Sequence, residues 1–219
     1  MIGLIAEGIT DVIIIKHLLA SHLGIDSSEI RAFRPDDVKD ETDKFSQGIN
    51  TFSNWTIVKE ECRSRKIIEN FFNNLPDSDF FVIHIDTDRA FEAGYNGSKP
   101  TKAGNTDYCQ ELRTAIYNRI NMWIGPHTFR IAYAIAIEET EAWILPIHSS
   151  NSNPDLVSNP KSTLQRTSTY QKLQGRREPA KYNELAKPLK KAKTLALCSQ
   201  ASYSLNNFLT EAEDQFHNL

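Results

Sequence analysis

The chain has 219 residues, 40% of them apolar and 24% charged, with a net charge of −3. This is the composition of an ordinary soluble globular protein, one large domain or a domain with a small appendage, long enough to bury a core without disulfides. It excludes a membrane-spanning stretch, and the three scattered cysteines, Cys62, Cys109 and Cys198, show no zinc spacing and read as reduced thiols of a cytosolic protein.

In chain order, Met1–Ala6 reads as a short strand, and no basic stretch precedes it as a secretory signal would require. Gly8 permits a tight strand-to-helix turn, and Thr10 or Asp11 is the expected N-cap of a helix running through Val12–Leu19. Glu7 then stands at the carboxyl end of the first strand. A second strand is expected at Ile30–Phe33, followed by an acidic, turn-rich loop from Asp36 to Asp43 whose carboxylates are assigned no chemistry. Trp55–Val58 fits either a strand or a helix start, whereas Arg63–Asn73 predicts a helix with Ile67, Ile68, Phe71 and Phe72 on one stripe.

The run Phe80–Ile85, bounded by Pro76-Asp77-Ser78-Asp79, has the continuous apolar character of a strand buried on both faces of a parallel sheet. It ends in Asp86 and Asp88, which lie two residues apart and share a face. Open α/β sheets bind their ligands at that end. His84 is taken to lie off that face and to be a packed, hydrogen-bonded strand histidine. Three glycines, a proline and two lysines make Glu92–Asn105 a mobile loop, with Lys99 and Lys102 as candidate phosphate contacts; solvated loop lysines are the commoner alternative. Thr106 or Asp107 caps the next helix, where Tyr108, Leu112, Ile116, Ile120 and Trp123 recur at helical spacing.

Phe129–Ile137 repeats the buried-strand signature and also ends in acids, Glu138, Glu139 and Glu141. Residues 148–160 form a Ser/Asn/Pro linker, with His148 a minor candidate at its start. Residues 161–193 hold ten Lys and Arg against two acids, whereas residues 1–160 hold 15 against 23. A basic segment on an acidic body points to a polyanionic partner, with Arg176, Arg177, Lys190 and Lys191 as candidate nucleic-acid contacts; a solvated helical face is the alternative. Leu195–Phe216 predicts one or two closing helices, and the basic helical segment 161–219 is expected to pack on the same domain as residues 1–147. The fold class is therefore α/β, a Rossmann-like, mainly parallel sheet with helices on both faces and a C-terminal helical segment.

If Glu7, Asp86, Asp88 and one or two of Glu138, Glu139 and Glu141 meet at one rim, oxygen-only ligation selects Mg²⁺ or Mn²⁺. Such ions are completed by phosphate oxygens, so phosphoryl transfer on a nucleic acid or nucleotide is the natural use. No P-loop is present, so any NTPase activity would come from a separate partner protein.

Glu7-Gly8-x-Thr10-Asp11 after a first strand and Asp86-x-Asp88 after a later one resemble the TOPRIM domain of topoisomerases, primases and related nucleases. Ile137-Glu138-Glu139-Thr140-Glu141-Ala142-Trp143 is similar to the small stand-alone TOPRIM-like proteins related to overcoming-lysogenization-defect nucleases. The resemblance covers roughly residues 1–147. It implies a Mg²⁺- or Mn²⁺-dependent nuclease with Glu7, Asp86 and Asp88 catalytic, often in bacterial defence against phage or mobile elements; the expected setting is cytoplasmic and the expected partner a nucleic acid, DNA ahead of RNA, a choice the sequence leaves open. A non-cutting TOPRIM module that binds nucleic acid or a partner, and another phosphoryl-transfer enzyme acting on nucleotides, stay open as alternatives.

Overall fold

The computed structural model describes residues 1–35, 54–74, 80–95, 99–150 and 153–217. Four strands, β1 (Ile2–Ile5), β2 (Ile30–Arg34), β3 (Phe81–Asp86) and β4 (Ile131–Ala136), pair in parallel in the order β2-β1-β3-β4. Helix α1 (Ile9–Leu23) follows β1; α2 (Asn54–Ser64) and α3 (Lys66–Asn74) precede β3; α4 (Tyr108–Ile124) joins β3 to β4. After β4 come a 3₁₀ turn at Thr140–Trp143, then α5 (Leu145–His148), α6 (Pro160–Gln165), α7 (Ser168–Gln171), α8 (Glu178–Ala186), α9 (Ala192–Ala201) and α10 (Tyr203–His217). The expected α/β class, with a parallel sheet between helical layers, is what the structure shows. No helix among the described residues is long and apolar enough to cross a membrane.

Strand periodicity sorts the core into two layers. Phe81, Ile83 and Ile85 of β3 and Ile131, Tyr133 and Ile135 of β4 face α2, α3 and α4. The opposite face carries Val82 of β3 and only alanines from β4, Ala132, Ala134 and Ala136. Those small side chains let α10 lie close against β4, where Phe208 and Trp143 stack with ring centroids 5.6 Å apart. The helix also covers an exposed strand edge: Glu211 accepts from the Tyr133 amide at 3.0 Å. With the Tyr133 N–H occupied, this edge offers one fewer donor to the strand of another chain.

Several local expectations change. The N-cap of α1 is Gly8, not Thr10 or Asp11, and its extended backbone makes no side-chain cap. Asp11 is buried instead. Trp55–Val58 is helical, and the helix expected over Arg63–Asn73 is interrupted at Arg65, whose φ of 56° separates α2 from α3. Within the expected linker, Pro154–Leu156 forms a 3₁₀ turn whose Asp155 is fully buried, accepting from Ser202 Oγ at 2.8 Å and from the Ser204 amide at 2.9 Å. That segment is stapled to the start of α10. The expected acidic loop Asp36–Asp43 and the turn Pro76–Asp79 lie outside the described residues.

Gly3 backs directly onto Phe81: a Cβ there would sit 2.4 Å from the Phe81 ring and 3.2 Å from Phe71. Gly3→Ala should therefore overpack the β1–β3 contact and lower stability by about 1–3 kcal/mol. Urea unfolding of the two proteins measures this, and an unchanged midpoint would show that the Phe81 ring can move aside.

Candidate metal centre

Because β1 and β3 are adjacent and parallel, their carboxyl ends reach the same rim. The Asp86 amide donates to Glu7 Oε1 at 2.8 Å. Asp86 Oδ1 accepts from both the amide and the hydroxyl of Thr140, at 3.0 and 2.8 Å. Among the described residues, none donates a hydrogen bond to the second oxygen of either acid. Each carboxylate is thus aimed by the fold through one oxygen and leaves the other uncommitted, the arrangement by which outer groups orient a metal ligand.

Two further groups stand behind Asp86. Asp11, in the first turn of α1, His84 and Asp86 each offer a ligand atom within 4.8 Å of the others. Gly8 admits Asp11 to this position, since a Cβ on Gly8 would come within 3.1 Å of Asp11 Oδ2. His84 does not lie off the Asp86 face: two residues earlier on the strand, it shares that face, with Nε2 3.3 Å from Asp86 Oδ1 and 2.6 Å from Thr140 Oγ1. It is packed and hydrogen-bonded as expected, with no exposure. The Thr140 hydroxyl has one proton, which Asp86 receives, so Nε2 is the protonated nitrogen, and among the described residues the buried Nδ1 has no partner.

The field at this rim is strongly negative. Burial, and then the charges of Asp86, Asp11 and Asp88, hold the Glu7 carboxyl well above the usual range. Burial, and then Glu141, Asp88 and Glu139, do the same to Asp86. Asp11 is pushed up to about 7, chiefly by burial and next by Asp86. Burial also raises Asp88, Glu139 and Glu141 and lowers the His84 imidazole, keeping it neutral near pH 7. Lys161 opposes this charge. Burial works against its ammonium, but the fields of Glu141, Asp11, Glu139 and Asp86 prevail and raise it. Its Nζ lies 3.8 Å from Glu141 Oε1, and its amide donates to Glu139 at 2.9 Å.

The other expected ligands divide. Asp88 is half-buried and within the field of Glu7. Glu141 lines the wall of the cluster, receiving the Tyr182 hydroxyl at 2.5 Å. Glu138, expected as a ligand, is engaged elsewhere. Its two oxygens accept from Lys99 at 2.8 Å, Lys102 at 3.2 Å and Tyr108 at 3.1 Å, so the two loop lysines meet a carboxylate here. Of the basic residues, exposed Arg177 precedes α8, the helix that carries Tyr182 to the cluster, with Arg176 beside it. Lys190 instead lines a cavity of about 580 Å³ that runs along α1, with Lys16, His17 and Asp26, and its charge acts on Asp26, just beyond the C-terminal end of that helix. Lys191 follows it directly. His148 Nε2 donates to the Leu185 carbonyl at 2.9 Å, outside the cluster.

Asp11, Thr140, Tyr182 and Lys161 belong to the cluster without having been singled out for it from sequence. Asp11 carried the one usable signal, an acid one turn beyond Glu7, but it reads equally well as a cap. No protein-family model matches this chain, and no significant match was found among curated proteins or solved structures.

Asp11 supplies a pH test. Its folded pKa, about 7, lies above the unfolded value near 3.8, so the folded state binds the extra proton. Stability from this group is greatest at low pH and falls as pH rises through the interval between those values. Asp11→Asn removes the titration. Relative to wild type, the metal-free variant should gain by up to about 1.4 kcal/mol per pH unit between roughly pH 4 and 7. Chemical denaturation at several pH values in chelator checks this; parallel curves would place Asp11 outside the charge cluster.

Proposed function

We propose that this protein is a Mg²⁺- or Mn²⁺-dependent nuclease that hydrolyses phosphodiester bonds through Glu7, Asp86 and Asp88. The observation that carries the reading is the meeting of Glu7 and Asp86 at the ends of adjacent strands, each with one oxygen held by the backbone and one unengaged. Around them, Asp88, Asp11, Glu139 and Glu141 add more negative charge than Lys161 offsets. The donors facing the rim are carboxylate oxygens, which fit a hard divalent cation. A cation bound there would polarise a phosphoryl oxygen and offset the charge that develops on it.

The residues of the chain divide the remaining work. Glu7 and Asp86 hold their oxygens at fixed positions, and the Thr140 hydroxyl, bonded to neutral His84, keeps Asp86 from rotating. Lys161 moderates the repulsion and stands where a negative substrate group would approach. Exposed Arg176 and Arg177, just before the helix that carries Tyr182, are assigned contacts to the nucleic-acid strand, and Lys190, beside Asp26, is not. The TOPRIM resemblance supports DNA as the substrate, a cytoplasmic setting, a separately encoded ATPase or other partner, and defence against phage or mobile elements.

Cleavage of single- and double-stranded DNA and RNA, with Mn²⁺, with Mg²⁺ and with chelator, tests the reading. The informative variant is Asp86→Asn. Its Oδ1 can still accept from Thr140, while its amide places a donor among carboxylates. The metal-free variant should melt at or above the wild-type temperature. Wild type should gain about 2.7 kcal/mol at a hundredfold excess of metal over its dissociation constant. The variant should lose most of that gain together with cleavage. A destabilised variant that still responds fully to metal would make Asp86 a structural residue.

A further inference from the structure

The end of β4 carries a second charged arrangement next to the metal rim. Glu138 has a left-handed backbone, φ 63°, which a non-glycine residue adopts only when its surroundings impose it. Here the surroundings are the turn after β3. The Glu138 amide donates to Thr87 Oγ1 at 2.8 Å, and its carbonyl accepts from the amides of Thr87 and Asp88, both at 3.0 Å. Glu138 is therefore fixed to the turn that presents Asp88.

Its side chain is buried, and its oxygens collect Lys99, Lys102 and the Tyr108 hydroxyl. Lys102 also lies over the Tyr108 ring, 5.4 Å from its centroid. One ammonium would neutralise one buried carboxylate, so the second leaves an excess positive charge. Both lysine side chains remain about a quarter exposed, at 24% and 29%, so their remaining donors face solvent. Lys99 is also near enough to Asp88 to favour its ionised form.

We propose that Glu138, Lys99 and Lys102 form a phosphate seat beside the metal rim, in which Glu138 is a positioning residue and the two lysines bind a phosphate of the nucleic-acid strand. This rests on the nuclease reading and adds a site to it. It also accounts for a glutamate among the strand-end acids that faces lysines rather than the cluster.

The test uses the full chain and a DNA oligonucleotide, with or without a 5′-phosphate, in chelator so that no cleavage occurs. For Lys99→Gln/Lys102→Gln, affinity should weaken and the log-affinity against log-salt slope should flatten by about 0.7–0.9, the value for one phosphate. Lys99→Arg/Lys102→Arg should keep the slope, and both variants should keep the Mn²⁺-induced rise in melting temperature. Equal weakening with both oligonucleotides places an internal phosphodiester in the seat; weakening only with the 5′-phosphorylated one places a terminal phosphate there. Glu138→Gln should keep the Mn²⁺ response and bind DNA no more weakly. Its cleavage rate at saturating DNA should fall roughly ten- to hundredfold, as expected when a phosphate is held out of place.

An unchanged slope in the double glutamine variant, or loss of the Mn²⁺ response in Glu138→Gln, overturns the seat. Wild-type protein that binds Mn²⁺ but no DNA also overturns it, while leaving the metal centre standing. Failure to bind Mn²⁺ counts against the nuclease reading itself.

Discussion

The structure depends on holding like charges together at the end of a parallel sheet. Two carboxylates at the 4.8 Å that bounds Asp11, His84 and Asp86 repel by about 3 kcal/mol at an effective dielectric near 20. A domain of this kind is stable by only about 5–15 kcal/mol in total. A few such pairs would consume that margin if nothing compensated them. The compensation is visible: amides of Asp86 and Thr140, the Thr140 hydroxyl, the Tyr182 hydroxyl and one ammonium, Lys161. What these leave unbalanced is drawn off by protons at low pH and, in the reading favoured here, by a divalent cation.

That requirement explains features distant from the rim. Alanines on one face of β4 let α10 pack closely, and Trp143, in the turn that begins with Thr140, stacks on Phe208 of that helix. The turn that aims Thr140 at Asp86 is thereby anchored in the core. Buried Asp155 ties the chain leading to α6 to Ser202 and Ser204, and α6 brings Lys161 to the acids. Residues after 148 are consequently part of the cluster's framework, because they supply its cation and the Tyr182 hydroxyl.

The sheet was legible in the sequence because each of its buried strands is a continuous apolar run that needs no tertiary information to recognise. Glu7 and Asp86 were legible for the same reason: an acid at the end of such a run can only lie at the rim. Asp11 was not, because in the first helical turn a cap and a cluster member look alike until the opposing strand is in place. Lys161 was hidden by distance, since nothing in the twenty residues after Glu141 says where the chain returns. Glu138 and Glu139 are neighbours in sequence with opposite fates, and the difference is a left-handed backbone at Glu138 that no local pattern announces. His84 was legible but misplaced: the strand period puts a residue two before Asp86 on the same face, not off it as expected.

The central claim is that the uncommitted oxygens of Glu7 and Asp86, with Asp88, bind a divalent cation. Anomalous diffraction from a crystal soaked in Mn²⁺ tests it without relying on substrate or activity. The account predicts a Mn²⁺ peak between these three side chains, within about 2.0–2.2 Å of their oxygens. Manganese bound only elsewhere, at Glu138 or on the surface, with Glu7 and Asp86 left unligated, would contradict it.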